Sequence, residues 1–230
     1  MASSVGLGSL EIRQSEFSYS ASLGAPAFEV LGTGGKLFAA IYAGLSRFRV
    51  KLQDIKVENL TWNPSDISVI CSLLDLGALV RYRLDRVEVW STSSLGFGDP
   101  RLPELIEDAL RAWRDVSPTA QAAVHTFSLG VHGALTEGTI ATWLAAYVSR
   151  APDGTPPFRP GGVSFFCEWP EGEGESSFVL ERSLIVPGGA FLRVTSVHSG
   201  KLQEREAYKR AANFFETLMT RFNLRLLRGT

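Results

Sequence analysis

The sequence predicts an α+β fold: two tandem β-α-β(3-4)-α repeats forming one curved antiparallel sheet with helices on one face. Three observations predict it. Short runs alternate apolar and polar residues between turn signals, as half-buried strands do. Apolar stripes at helical spacing interrupt those runs four times. The order strand, helix, several strands, helix occurs twice, with matching segments a constant 106 residues apart. The two repeats span 11–117 and 118–228, packed as one pseudo-twofold unit.

In the first repeat a strand is expected over 11–24. Phe17, Tyr19, Ala21 and Leu23 fall on one face and Ser18, Ser20 and Ser22 on the other. Residues 1–10 read as a lead-in. Glycines at 32, 34 and 35 break the strand, and Leu37, Phe38, Ile41, Leu45 and Phe48 set a helix over 34–47 with Thr33 as its cap. Strands follow over 55–62, 67–73, 79–84 and 86–91, the first closed by the turn Asn63-Pro64-Ser65-Asp66. After a loop over 92–100, Leu102, Leu105, Ile106, Ala109, Leu110, Trp113 and Val116 form the stripe of a helix over 102–116.

The second repeat opens with a strand over 120–131. Thr136 can cap a helix over 138–148, and a Pro/Gly loop covers 151–160. Strands are expected over 163–169, 177–186 and 190–198, with an acidic hairpin tip at 171–175. A last helix over 202–222 carries Tyr208, Ala211, Ala212, Phe215, Leu218, Met219 and Phe222 on one stripe, and 224–227 reads as a final strand.

The repeat rests on three features that share one offset. Ser22-Leu23-Gly24 returns as Ser128-Leu129-Gly130, Leu37 to Tyr42 as Trp143 to Val148, and Pro64 as Pro170. This order of elements resembles the duplicated topology of the TATA-box-binding protein fold and, more loosely, the helix-grip folds. It is also similar to that of an uncharacterised, sporadically distributed family of bacterial proteins of about this length. The resemblance covers most of the chain in element order and length. It implies an architecture and a bacterial source, and it carries over no functional residue. Two such units joined edge to edge remove two exposed sheet edges and leave one face open.

Composition narrows the function classes. The 230 residues are 45% hydrophobic and 20% charged, an ordinary globular mix. The formal net charge is −1, with 12 basic and 14 acidic residues in the first half and 11 and 10 in the second. A minor-groove DNA reader needs a basic surplus and apolar wedges on the open face, and neither half is basic, so nucleic-acid binding is not expected. The start of the chain lacks a basic and apolar leader, and no run reaches 18 apolar residues; a cytoplasmic protein without membrane contact is expected. Cys71 and Cys167 lie in apolar runs and read as buried free thiols.

No catalytic constellation stands out. Gly32-Thr33-Gly34-Gly35-Lys36 opens a helix, but Val30 and Leu37 stand where a Walker loop needs glycine and a hydroxyl; it reads as a tight turn. His125, His132 and His198 with the two cysteines give no zinc spacing, and no metal or cofactor is expected. His125 and His132, seven residues apart, point to opposite faces of a regular strand. There is no Gly-x-Ser-x-Gly elbow, and Cys167 reads as packed rather than nucleophilic.

What remains is the open face. Ser18, Ser20 and Ser22 leave it flat, and Arg81, Arg83 and Arg193 supply groups suited to carboxylate or phosphate. The expectation is a non-catalytic interaction or accessory protein that binds a protein partner through the open sheet face or the loops. A place in a bacterial defence or regulatory system follows by analogy alone. Two alternatives stay open. One is a small-ligand binder with an apolar cavity between sheet and helices, lined from Phe17, Tyr19, Phe38, Tyr42, Phe165, Phe191 and Phe215. The other is an enzyme of unrecognised class.

Overall fold

The computed structural model describes residues 8–28, 35–58, 63–92, 96–145, 161–169 and 173–228. Among them the protein is α+β, with a large, mainly antiparallel sheet and four α-helices. The strands are β1 (Gly8–Leu23), β2 (Ile55–Glu58), β3 (Ser68–Leu73), β4 (Ala78–Tyr82), β5 (Arg86–Ser91), β6 (Ala122–Leu135), β7 (Gly162–Glu168), β8 (Gly174–Arg182), β9 (Ala190–Ser199) and β10 (Leu224–Arg228). The helices are α1 (Lys36–Gly44), α2 (Arg101–Val116), α3 (Ile140–Ala145) and α4 (Glu204–Arg221). No described helix is long and apolar enough to cross a membrane.

The strand order is β2-β3-β4-β5-β1-β6-β9-β8-β7, so the long strands β1 and β6 pair at its middle. Their register sets Ser20 opposite Thr126 and Ser18 opposite Ser128. Strand β10 is the exception to antiparallel pairing: Gly8 to Ile12 pair in parallel with Leu224 to Arg228. The reason is an edge left bare. Strand β5 covers β1 only from Phe17 to Ser22, and β10 pairs with the beginning of β1.

Alternation along the strands divides the side chains as the sequence implies. Phe17 and Tyr19 are 0% and 1% exposed, and Ala21, Phe127, Leu129, Val131, Val87 and Val89 are buried with them. Rings from α4 and the preceding loops meet this set. Phe17, Phe97, Phe127, Tyr208 and Phe215 form a cluster with centroids 5.5 to 6.5 Å apart, and the Tyr208 hydroxyl donates to the Phe97 carbonyl. Helix α2 supplies Trp113, which stacks on Tyr82 of β4. Its Leu102, Leu105, Ile106, Ala109 and Leu110 are buried, as the stripe predicts. In α4, Tyr208 and Phe215 are buried, whereas Ala212 and Met219 pack at the margin of the core.

Several boundaries differ from expectation for local reasons. Helix α1 ends at Gly44 and is followed by a 3-10 turn over Ser46–Phe48. A Cβ at Gly44 would lie 3.1 Å from the Ala112 Cβ, so the glycine lets α1 approach α2 closely. Thr136 does not cap α3. Its hydroxyl donates to the Ser9 carbonyl as β6 runs on to Leu135, and Thr139 takes the capping role by accepting from the Thr142 N–H. The Thr33 cap, the loop over 151–160, Pro170 and the helical match at 146–148 lie outside the described residues.

Candidate functional site

The side chains that alternate with the core set form the opposite face, and their positions follow from register. Ser20 lies between Glu88 and Thr126, and Ser18 lies between Trp90 and Ser128. Thr195 follows Ser128 on β9, and Ser177 follows Thr195 on β8. Six short hydroxyl side chains therefore sit side by side on four adjacent strands: Ser18, Ser20, Thr126, Ser128, Thr195 and Ser177. All are partly exposed. Ser22, between Arg86 and Val124, is exposed.

The three expected arginines fall into two groups. Arg81 stands opposite Glu88, hydrogen-bonds Glu58 at 3.3 Å and places its guanidinium carbon 4.6 Å over the Trp90 ring. Arg83 Nε lies 3.6 Å from Glu88 Oε2. Arg193 is on β9, four strands from Arg81 in the sheet order, about 19 Å at ordinary strand spacing. It is exposed and stacks over Phe191, with its guanidinium carbon 5.0 Å from the ring centroid.

Beside Arg193 the face dips into a cleft of about 230 Å³. Its lining is a three-by-three block of the sheet: Gln14, Glu16 and Ser18 on β1; His132, Gly130 and Ser128 on β6; Phe191, Arg193 and Thr195 on β9. Gly130 is the central position. The cleft exists because the middle of the block carries no side chain. A Cβ there would meet only the Phe191 ring, at 3.5 Å. Of these nine residues, the sequence reading names Ser18 and Arg193 for the partner face and Phe191 for an interior apolar cavity. Gln14 and Glu16 share the parity of Ser18, and a mid-strand glycine signals a close approach. The cross-strand register that makes them neighbours is not written in any one segment.

His132 is held by two contacts. Its ring stacks on Phe191 with centroids 4.3 Å apart, and Nδ1 lies 2.9 Å from Ser183 Oγ. Ser183 Oγ accepts the N–H groups of Ile185 and Val186, which occupies its lone pairs. Its proton is therefore donated to His132 Nδ1, and the neutral ring carries its own proton on Nε2. Burial, then the charge of Arg193, lowers the His132 pKa, against the opposing pull of Glu181.

The other two histidines face the core. The Tyr19 hydroxyl bonds His125 Nδ1 at 2.8 Å, and His125 Nε2 donates to the Leu202 carbonyl. His125 and His132 thus point to opposite faces, as their spacing predicts. Beside His125, Trp169 Nε1 donates to Ser176 Oγ, which lies 2.6 Å from Ser196 Oγ; that hydroxyl lies 2.8 Å from His198 Nε2. A hydroxyl beside an imidazole is the start of a nucleophilic pair, but Ser196 and His198 are both 0% exposed. These groups pair with one another inside the core, and among the described residues His198 Nδ1 is left without a hydrogen-bond partner.

Cysteine placement corrects one expectation. Cys71 is buried, and burial pushes its thiol up to about 12. Cys167 is exposed. Strand β7 is the last in the described order and pairs only with β8, so its apolar run Phe165-Phe166-Cys167 is not covered from both sides; Phe166 is 80% exposed. Among the described residues no three of His, Cys, Asp or Glu gather as a metal site. No protein-family model and no curated protein sequence matches the chain.

Proposed function

We propose that the protein is a non-catalytic interaction protein that offers the open face of its sheet to a protein partner. The observation that carries this reading is the strip of six short hydroxyl side chains across β1, β6, β9 and β8. Short side chains allow another chain to approach the sheet closely, and each hydroxyl both donates and accepts hydrogen bonds. A solvent-facing sheet surface ordinarily carries longer charged groups. Here those are displaced to the sides of the strip.

We further infer that the chain is a duplication, curved as one pseudosymmetric sheet with its helices on one face. The support is topological. The order runs β1-β5-β4-β3 to one side and β6-β9-β8-β7 to the other, and Ser20 faces the residue 106 positions on, Thr126. The resemblance to the TATA-box-binding protein fold remains a proposal of the same kind.

A second reading, a small-ligand protein, is favoured by the cleft over Gly130. That cleft is polar and lies on the open face. The aromatic residues expected around an interior apolar cavity are spread apart: Phe17 and Phe215 pack in the core cluster, Tyr42 and Phe165 are exposed, and Phe191 lies under His132 and Arg193.

The test is a pull-down from the native host with the wild-type chain and with Ser20→Trp. The expected result is one stoichiometric partner lost with the variant, whose stability stays within about 0.5 kcal/mol of wild type. A folded variant that retains the partner would move the interface elsewhere.

A further inference from the structure

We infer that the cleft over Gly130 is a binding site for a small zwitterion, an α-amino acid held by its carboxylate at Arg193 and by its ammonium at Glu16. The inference goes beyond the protein-partner reading and does not depend on it.

Three features of the cleft carry it. First, opposite charges flank an empty position. Glu16 and Arg193 are the two cross-strand neighbours of Gly130, one on each side, and neither has an ion-pair partner outside the cleft among the described residues. Elsewhere on this face arginines and acids meet directly, as Arg81 meets Glu58. Here one strand keeps them apart, about 9.6 Å between their backbones at ordinary spacing. An α-amino acid carries its ammonium and carboxylate about 3 Å apart at standard bond lengths, so one molecule answers both charges through charge-assisted hydrogen bonds of about 2.8 Å each. A ligand carrying only one charge leaves the other side unanswered.

Second, the donors on the carboxylate side are fixed before any ligand arrives. The Arg193 guanidinium carbon sits 5.0 Å from the Phe191 ring centroid, and His132 stacks on the same ring. With Nδ1 turned to Ser183, the hydrogen-bonding group His132 has left for a ligand is the Nε2–H. Groups already held in place lose little freedom on binding. Burial first, then Arg193, favours the neutral ring, with Glu181 opposing.

Third, the size fits. The cleft of about 230 Å³ exceeds the roughly 30 Å³ share of a water molecule several times over. It has room for an amino acid with a small or medium side chain.

The experiment is a thermal-shift screen of the wild-type chain against each common amino acid, followed by calorimetric titration of the strongest. Acetate and ethylamine, each carrying one of the two charges, are titrated in parallel. The expected result is saturable one-to-one binding of at least one amino acid, with acetate and ethylamine each weaker by about tenfold or more. Arg193→Gln and Glu16→Gln should each weaken it by about tenfold. Gly130→Leu should abolish it. Because a bulky residue at 130 crowds the Phe191 ring, amide chemical shifts of the wild type on titration supply a second readout that does not depend on the variant's folding, with the largest changes expected at Gly130 and its neighbours on β1 and β9. Absence of binding by every amino acid to the folded chain overturns the inference. So does acetate binding as tightly as the amino acid, which would leave Glu16 without a role. Neither outcome touches the protein-partner reading, which the Ser20→Trp pull-down decides.

Discussion

The open face has two wings, and they treat their arginines differently. On the β3-β4-β5 wing, Arg81 and Arg83 each stand beside an acid: Arg81 hydrogen-bonds Glu58 and lies over the Trp90 ring, and Arg83 lies 3.6 Å from Glu88, an ion pair without a hydrogen bond. On the β6-β9-β8 wing, Arg193 leans on Phe191 and faces a cleft with Glu16 beyond it. An arginine already paired gives up an interaction when it takes a ligand; an arginine on an aromatic ring keeps that contact and gains another. Under the proposed binding role, this favours the second wing for recognition and the first for structural charge.

The largest expected effect tests whether the difference is confined to the surface. Phe127 lies under the second wing, among Tyr19, Phe97 and Tyr208. Phe127→Ala should cost about 3–5 kcal/mol in chemical denaturation, through lost burial and the cavity left behind. A loss below about 1 kcal/mol would mean that the ring cluster is not the common support of the sheet. Next come the arginines. Arg81→Gln should lower stability by about 1 kcal/mol, the sum of a partly exposed ion pair and a cation–π contact. Arg193→Gln should cost about 0.5 kcal/mol, having only the ring contact to lose. Equal losses in matched denaturation curves would erase the contrast between the wings.

Acid should act beneath the second wing. Burial first, then the charges of Arg210 and His125, lowers His198 to about 4, with Glu173 opposing. The unfolded chain takes up that proton near the ordinary value of 6.5, and the folded chain only near 4. The unfolded state therefore binds more protons in between. The contribution is fully present above pH 6.5 and is lost as pH falls toward 4. His198→Phe should show a shallower fall in denaturation midpoint across that window than wild type; parallel curves would remove His198 from the explanation. The smallest effect is chemical. An aromatic disulfide reagent should label Cys167 quickly in the native protein and Cys71 only on unfolding. Two fast thiols, or none, would contradict the placement of the strands that carry them.

How much of this could be read in advance varied with how local the signal was. The parity of Phe17 and Tyr19 against Ser18 and Ser20 held, because alternation is a property of one strand. The 86–91 strand matched β5 residue for residue, and the stripe from Leu102 to Trp113 matched α2. Features that depend on neighbours did not show. The apolar run ending at Cys167 looks like an interior strand, and only its place at the end of the sheet order exposes it. The parallel pairing of β10 depends on how much of β1 the strand β5 leaves bare. Likewise the separation of Arg81 from Arg193 shows only in the strand order, which puts four steps between them. Gly130 acquires meaning only when Glu16 and Arg193 are seen on either side of it.

The central claim, that recognition belongs to the open face of the second wing, is tested most directly by site-specific photo-crosslinking in the native host. A photoreactive phenylalanine analogue is placed in turn at Thr195 in the hydroxyl strip, at Leu79 on the first wing and at Arg205 on the exposed side of α4. The expected result is one crosslinked partner of constant mass from Thr195, a weaker product from Leu79 and none from Arg205. Crosslinks from Arg205 with none from Thr195 would contradict the claim and put the interface on the helices.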